Sequence, residues 1–295
     1  MTKSNIFFWA CDYSRKTGEG NLARKFILEN FKNKNKKFKN VRIMYLKSKN
    51  FMNYKYVLPF VGIFYCWKYH LKGNQVGYLN YLPMWNFLIF LLLPASTILG
   101  PITGGALYLN KNFTNFFIRR FFFPIFYKVS EIILLAKYKK KFIFSTDLLK
   151  KNLSKKLINN SEFNYVLKNF SFKKRRKKDI DFLIYYKKNN NKLSFFNYKF
   201  VRDLAELNFK IFIVGDKLYN YKVKNLGFLS KKKLTNFQER SKYTISSGEN
   251  IYSLFVIECL ENHVKTLIDK RYMKKVKFLR EFFLDMNNPI FNYKK

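Results

Sequence analysis

Short apolar runs that stop at a glycine or serine turn, each followed by apolar residues at helical spacing, recur along the chain. This alternation predicts an α/β protein with parallel sheets. Ile6 to Ala10 is the first such run, Thr17-Gly18-Glu19-Gly20-Asn21 is its turn, and Leu22, Ala23, Phe26 and Ile27 then fall on one helix face. Val41 to Leu46 predicts a second strand, and Thr97 to Leu99 a later one that runs into Gly100-Pro101-Ile102-Thr103-Gly104-Gly105. Lys141 to Ser145 predicts the last strand of the first half, with Thr146-Asp147 capping a following helix.

A second series begins at Asp181 to Tyr186 and continues through a helix near Phe200 to Leu207 and a strand at Ile211 to Val214 ending in Gly215-Asp216. Val223 to Phe228, a helix at Lys231 to Arg240, a strand at Tyr243 to Ser246 and a helix from Ser253 to Glu261 complete it, and Lys270 to Met286 predicts a basic amphipathic helix. Between the two series, residues 151–178 are rich in Lys, Asn and Ser and contain a run of six cations from Lys173 to Lys178. Such a block reads as a solvated connector, with phosphate binding as its alternative. The 295 residues therefore divide into an N-terminal Rossmann-like domain at 1–150, a basic linker at 151–178, a second Rossmann-like domain at 179–270 and a C-terminal helix at 271–295 that packs back on the first domain.

Composition narrows the function classes. With 48% apolar and 20% aromatic residues the chain buries enough surface to fold, despite a formal charge of +40. That charge suits an anionic partner, and equally a surface drifted toward Lys and Asn. Cys11, Cys66 and Cys259 are too few and too scattered for a disulfide framework or a zinc ribbon, and two histidines, His70 and His263, offer little for a metal cluster or a Ser-His-Asp triad. No metal or cofactor is expected. The N-terminus lacks a secretory apolar stretch and Trp85 to Leu93 is too short to span a bilayer, so it reads as buried helix plus strand in a cytoplasmic protein, with a surface that touches the bilayer as the alternative.

In parallel α/β sheets, ligands collect where strands end and helix N-termini begin. Four loops qualify: Gly18 to Asn21, Gly100 to Gly105, Lys187 to Lys192 and Ser247 to Ser253. In the last of these and the helix after it, Glu249 and Glu258 are two carboxylates flanking a helix start, able to accept hydrogen bonds from sugar hydroxyls on either side of a phosphate, or to be two solvated acids.

The second half resembles the donor-binding domain of GT-B glycosyltransferases, most of all the retaining family four, over about 110 residues, as a divergent bacterial branch. Lys187 and Lys192 have the spacing of that family's Arg and Lys on the donor diphosphate, with Lys in place of the Arg fork. Gly215-Asp216 is similar to its Val-Gly-Asp/Gly turn. Glu258-Cys259-Leu260-Glu261-Asn262-His263-Val264 aligns with its Glu-Ala-Met-Ala-x-Gly-x-Pro-Val stretch, so that His263 stands where the family has Gly and Lys265 where it has Pro. The resemblance implies that Glu258 holds the donor ribose, that Glu249 lies near the transferred sugar, and that Asn250 and Ser253 line the donor. The acids stand nine residues apart where the family usually has eight, and Tyr252 to Phe255 replaces its glycine turn. In the first half, Gly18 and Gly20 match the loop approaching the donor phosphates, while Gly104 and Gly105 match a Gly-Pro-x-Gly-Gly loop on the acceptor side.

From this resemblance follows a metal-independent transfer of sugar from a nucleotide sugar to a saccharide or lipid-linked acceptor in cell-surface polysaccharide synthesis, with Lys187 and Lys192 stabilising the leaving diphosphate. An inverting course requires a base, for which Asp12 and Glu19 stand in position. The basic surface is expected to hold the chain at the anionic inner leaflet of the plasma membrane. Nucleic acid is not an expected partner. The rivals are a non-catalytic RNA-binding protein, motivated by charge and Lys/aromatic interleaving, and an inactive glycosyltransferase relative.

Overall fold

The computed structural model describes residues 4–15, 17–32, 38–45, 57–104, 113–188, 196–219, 221–247 and 250–288. They fall into two compact units, Met1–Val166 and Leu167–Lys295. The first contains β1 (Ser4–Trp9), α1 (Gly18–Ile27), β2 (Phe38–Met44), α2 (Leu58–His70), β3 (Gln75–Tyr78), α3 (Phe87–Leu92), β4 (Ile98–Leu99), α4 (Phe113–Lys137), β5 (Phe142–Ile143), α5 (Lys155–Asn159) and β6 (Ser161–Glu162). The second contains β7 (Ile180–Tyr186), α6 (Tyr198–Glu206), β8 (Ile211–Gly215), β9 (Lys224–Gly227), α7 (Lys231–Arg240), β10 (Ser241–Ile245), α8 (Leu254–Glu261), β11 (Lys265–Ile268), α9 (Lys270–Met273) and β12 (Phe283–Asp285).

Each unit is built on an all-parallel sheet, in the order β2-β1-β3-β4 in the first and β12-β11-β10-β7-β8-β9 in the second. Central strands of such sheets are covered on both faces, and their sequences show it: Ile6 to Trp9 of β1 and every residue of β8 are buried. In the first unit Phe7, Trp9, Cys66, Tyr78 and Leu134 meet in one core. In the second, Phe182, Ile184 and Ile213 pack against α6 on one face, and Leu183, Phe212 and Val214 against α7 on the other. Helix starts follow cap chemistry: the side chains of Thr17, Ser154, Asn197, Ser230 and Ser253 each accept an N–H from the first turn they precede.

Three expectations require correction. Lys270 to Met286 is not one helix: Asp269 caps a single turn, Leu279 takes φ +52°, and Phe283 to Asp285 becomes the sixth strand, pairing with Thr266 to Ile268. Covering the edge of β11 and burying Val276, Phe283 and Met286 outweighs helical periodicity. Thr146-Asp147 caps no helix, because the Asp147 N–H donates to Asn164 Oδ1 at 2.9 Å and the next α-helix is capped eight residues on from Thr146, at Ser154.

Residues 151–178 are not a free connector either. Their first part folds with unit one, β6 pairing with β5. The cation run lies along unit two: Lys173 N–H donates to Glu261 O at 2.8 Å, Arg176 pairs with Glu239 at 3.2 Å, and Lys178 Nζ donates to Asn262 O at 2.7 Å. Phe172 stacks on the His263 ring at 4.7 Å. Opposite charge and exposed carbonyls at the ends of α7 and α8 thus hold a stretch whose composition suggests solvation.

Candidate functional site

In unit two the chain leaves β7, adds β8 and β9 on one side, then returns to place β10, β11 and β12 on the other. Connections leaving β7 and β10 therefore diverge, and a crevice opens at the carboxyl ends of these two neighbours. Lys187 and Lys188 follow β7 there, and residues 246–253 follow β10 and lead into α8. Ser253 Oγ accepts the Val256 N–H at 3.3 Å, while the N–H groups of Leu254 and Phe255 have no intrahelical acceptor. Two cations thus follow one strand and a positive helix end follows its neighbour, a pairing of features that anions seek.

The β10–α8 turn is fixed from beneath. Ser246 Oγ donates to Ile251 O at 2.9 Å, and Tyr252, buried, takes the N–H groups of Lys277 and Phe278 at 3.1 and 2.8 Å on its hydroxyl while donating to Phe278 O at 3.0 Å. Asn250 N–H donates to Ser247 Oγ at 3.4 Å and Ser253 N–H to Asn250 O at 3.2 Å. Across the crevice Tyr185 packs on Phe255 with ring centroids 5.6 Å apart. Burial and then the nearby Asp216 carboxylate raise the Tyr185 phenol above its usual range.

Several predicted donor residues have work inside the protein. A Cβ on Gly215, which has φ +105°, would sit 2.2 Å from Tyr186 O, so glycine is required there whatever binds. Asp216 accepts the Lys188 N–H at 2.7 Å, joining the ends of β7 and β8. The Glu258 carboxylate pairs with Lys231 and accepts Gln238 Nε2 at 3.3 Å. Glu249 and Lys192 lie outside the described residues, as does Gly105.

One backbone observation bears on the register of residues 258 to 264. His263 has φ +57°, its N–H donates to Leu260 O and the Val264 N–H to Cys259 O, closing α8 with the left-handed residue that glycine normally supplies. The position where the resembled family has Gly keeps a glycine's backbone although the side chain is imidazole.

Unit one has its own crevice, between the carboxyl ends of β1 and β3. Asn80, buried, donates from Nδ2 to Asp12 O at 2.5 Å and to Glu19 O at 3.3 Å, and its Oδ1 accepts the Asp12 N–H at 3.3 Å. It thereby draws together the loop after β1, the start of α1 and the loop after β3. Asp12 Oδ1 accepts the Ser14 N–H at 2.8 Å, and Arg24 clamps the same loop through Tyr13 O at 2.8 and 2.6 Å. Tyr81, at φ +57°, has its phenol raised well above the ordinary range by burial and by Asp12 and Glu19. The crevice is acidic in a strongly basic chain.

The glycines of this unit divide. Gly20 is required by the Ser14 backbone, whose oxygen would lie 2.1 Å from a Cβ, while a Cβ on Gly104 would meet only the Leu149 side chain, at 1.8 Å, which would have to shift. Gly18 has no atom within 4 Å of its missing Cβ, so its space is open. Asn80, Tyr81 and Tyr252 escape sequence reading: β3 is four residues, Gln-Val-Gly-Tyr, without alternation, and Tyr252 acts on a turn 25 residues away.

No protein-family model matches the chain, and no curated protein matches it in sequence. Among solved structures it is similar to the Streptomyces sp. SF2575 glycosyltransferase SsfS6, complexed with thymidine diphosphate, at 8% identity over 98% of this chain and 89% of that one, TM-score 0.46. It is also similar to Acinetobacter baumannii MurG, at 11% identity over 98% and 89%, TM-score 0.43. The Staphylococcus aureus MnaA–UDP co-structure gives 10% identity over 90% and 78%, TM-score 0.42. At these values the site has to be understood from the chain's own residues.

Proposed function

We propose that the chain is a glycosyltransferase of the GT-B type, moving a sugar from a nucleotide-sugar donor to a saccharide or lipid-linked acceptor. The observation that carries this reading is the strand-order reversal between β7 and β10, with Lys187 and Lys188 following one strand and the first turn of α8 following the other. The left-handed His263 supports the register with family four, and with it the assignment of Glu258 to the donor ribose, the exposed Lys231 ion pair yielding to the ribose hydroxyls.

In the proposed reaction the bond between the anomeric carbon and the diphosphate oxygen breaks, and its electron pair stays on that oxygen. Lys187, Lys192 and the α8 N–H groups stabilise the charge that gathers there, without a metal. The acceptor oxygen bonds to the same carbon and gives up its proton, to a general base in an inverting course and to the departing diphosphate in a retaining one.

A thermal-shift panel of UDP, GDP, CMP and TDP sugars tests the reading. A donor present at about a hundred times its Kd adds about 2.7 kcal/mol of stability. The expected result is stabilisation by one nucleotide class, diminished in Lys187→Ala. No response to any nucleotide, with tight binding of single-stranded RNA, overturns it.

A further inference from the structure

The exposed large apolar side chains of this chain are concentrated on three helices of unit one, at helical spacing rather than scattered. On α2 and its C-cap they are Phe60, Phe64, Trp67 and Leu71, steps of four, three and four, with Phe64 63% and Leu71 79% exposed. On α3 they are Leu88, Leu91 and Leu92, and on α4 the stripe includes Phe121, Ile125 and Ile132, the last two 59% and 66% exposed. A surface helix in water shows its polar residues on that side. The opposite faces are already buried, Gly62, Ile63 and Cys66 on α2 and Ile89 and Phe90 on α3, so these helices are apolar inside and out.

The stripes adjoin. Trp67 Nε1 donates to Leu92 O at 2.6 Å, joining α2 to α3, and Trp85 stacks on Phe123 at 5.5 Å while Phe87 meets Phe126 at 5.7 Å, joining the start of α3 to α4. Charge in this region has one sign: between Glu29 and Glu131 the sequence has no acidic residue. Glu131 itself is buried, pairing with Lys128 and accepting the Ser154 N–H. Lys68 and Lys72 are exposed beside the α2 stripe, and Arg120 and Lys128 beside that of α4. Lys137 extends its stem along the end of α3 to reach Leu91 O.

We infer that the α2–α3–α4 face is a docking surface for an anionic lipid bilayer, its aromatic and leucine side chains entering the acyl boundary and its lysines meeting lipid phosphates. Exposed apolar stripes rimmed by cations, with interfacial Trp and a complete lack of exposed acid, match an anionic interface in both hydrophobicity and charge. No helix among the described residues is long and apolar enough to cross a membrane, so the helices lie along the surface. The surface does not depend on the donor reading: loss of vesicle binding leaves nucleotide binding untouched, and the reverse.

The test is flotation of the full chain with phosphatidylcholine vesicles carrying increasing phosphatidylglycerol, with brominated lipid to quench Trp67 and Trp85. Binding is expected to rise with the anionic fraction and to be accompanied by quenching. Combining F64S, L71S, F121S and I125S is expected to lower partitioning at least about thirtyfold, well within the transfer energy of four such side chains. Because those side chains are exposed, the thermal midpoint is expected to hold. Should that variant fail to fold, K68E with K72E, and quenching in the unaltered chain, carry the test. Absence of vesicle binding, equal binding by all variants, or a dimer that the serine variant dissolves without any lipid binding, overturns the inference.

Discussion

Replacing Tyr252 by Phe removes one oxygen and three hydrogen bonds, two accepted from the N–H groups of Lys277 and Phe278 and one donated to Phe278 O. The ring remains, packed edge-on against Phe278 and Phe283, so the apolar contribution is nearly unchanged. What is lost is satisfaction of two backbone donors beside a residue 6% exposed. At about 1 kcal/mol per bond, the cost is about 2 to 3 kcal/mol. The Tyr252 hydroxyl also ties the turn carrying Asn250 to the turn before β12, so its loss loosens the β10–α8 loop. The assay is denaturant unfolding followed by far-UV circular dichroism, with amide exchange read at residues 250–253. Tyr219→Phe, at a residue 69% exposed, serves as the control. The expected result is a lower midpoint for unit two and faster exchange in the loop. A change below about 0.5 kcal/mol, or exchange unaltered at 250–253, refutes the reasoning.

Other predictions follow from the same geometry. His263→Ala is expected to be less stable than His263→Gly by about 1 kcal/mol, since both lose the Phe172 stack but only alanine retains the left-handed strain at φ +57°; equal melting temperatures would contradict it. Glu258→Gln is expected to weaken nucleotide binding about tenfold by calorimetry, whereas Lys231→Ala, which frees the carboxylate, leaves affinity equal or higher. The Cys66 thiol is pushed by burial from its ordinary 9.0 up to about 12. Above pH 9 the unfolded chain therefore releases a proton that the folded chain retains, and stability falls as pH rises toward 12. Denaturant midpoints at pH 8 and pH 10.5 are expected to differ less in Cys66→Val, by up to about 1.4 kcal/mol per pH unit through the affected range.

Strands buried on both faces declare themselves in sequence, which is why β1, β7 and β8 fall within a residue or two of where their apolar runs predict them. The helix expected from Ser253 likewise starts within one residue of α8, whose cap is Ser253. Strand order is different: whether the chain returns past β7 to lay down β10 is a tertiary choice, and no local pattern shows that Lys187 and Ser253 end at one crevice. β12 was hidden because three residues of edge strand are stabilised by pairing with β11, against a surrounding periodicity that is helical. The glycines mislead in a particular way. Gly20, Gly104 and Gly215 suggest ligand approach, yet Gly20 and Gly215 are required by neighbouring backbone atoms and Gly104 packs against Leu149, and Gly18 alone has open space at its missing Cβ among these. Conversely His263 conceals a glycine's conformation, visible only in the backbone.

Hydrogen–deuterium exchange of the full chain with and without a nucleoside diphosphate locates the donor on the two connections that follow β7 and β10. Protection is predicted at residues 187–188 after β7 and in the segment 246–256 after β10, with none at residues 97–99 at β4 in unit one. Protection confined to unit one or to the cation run at 173–178, or no protection with any nucleotide, contradicts the account.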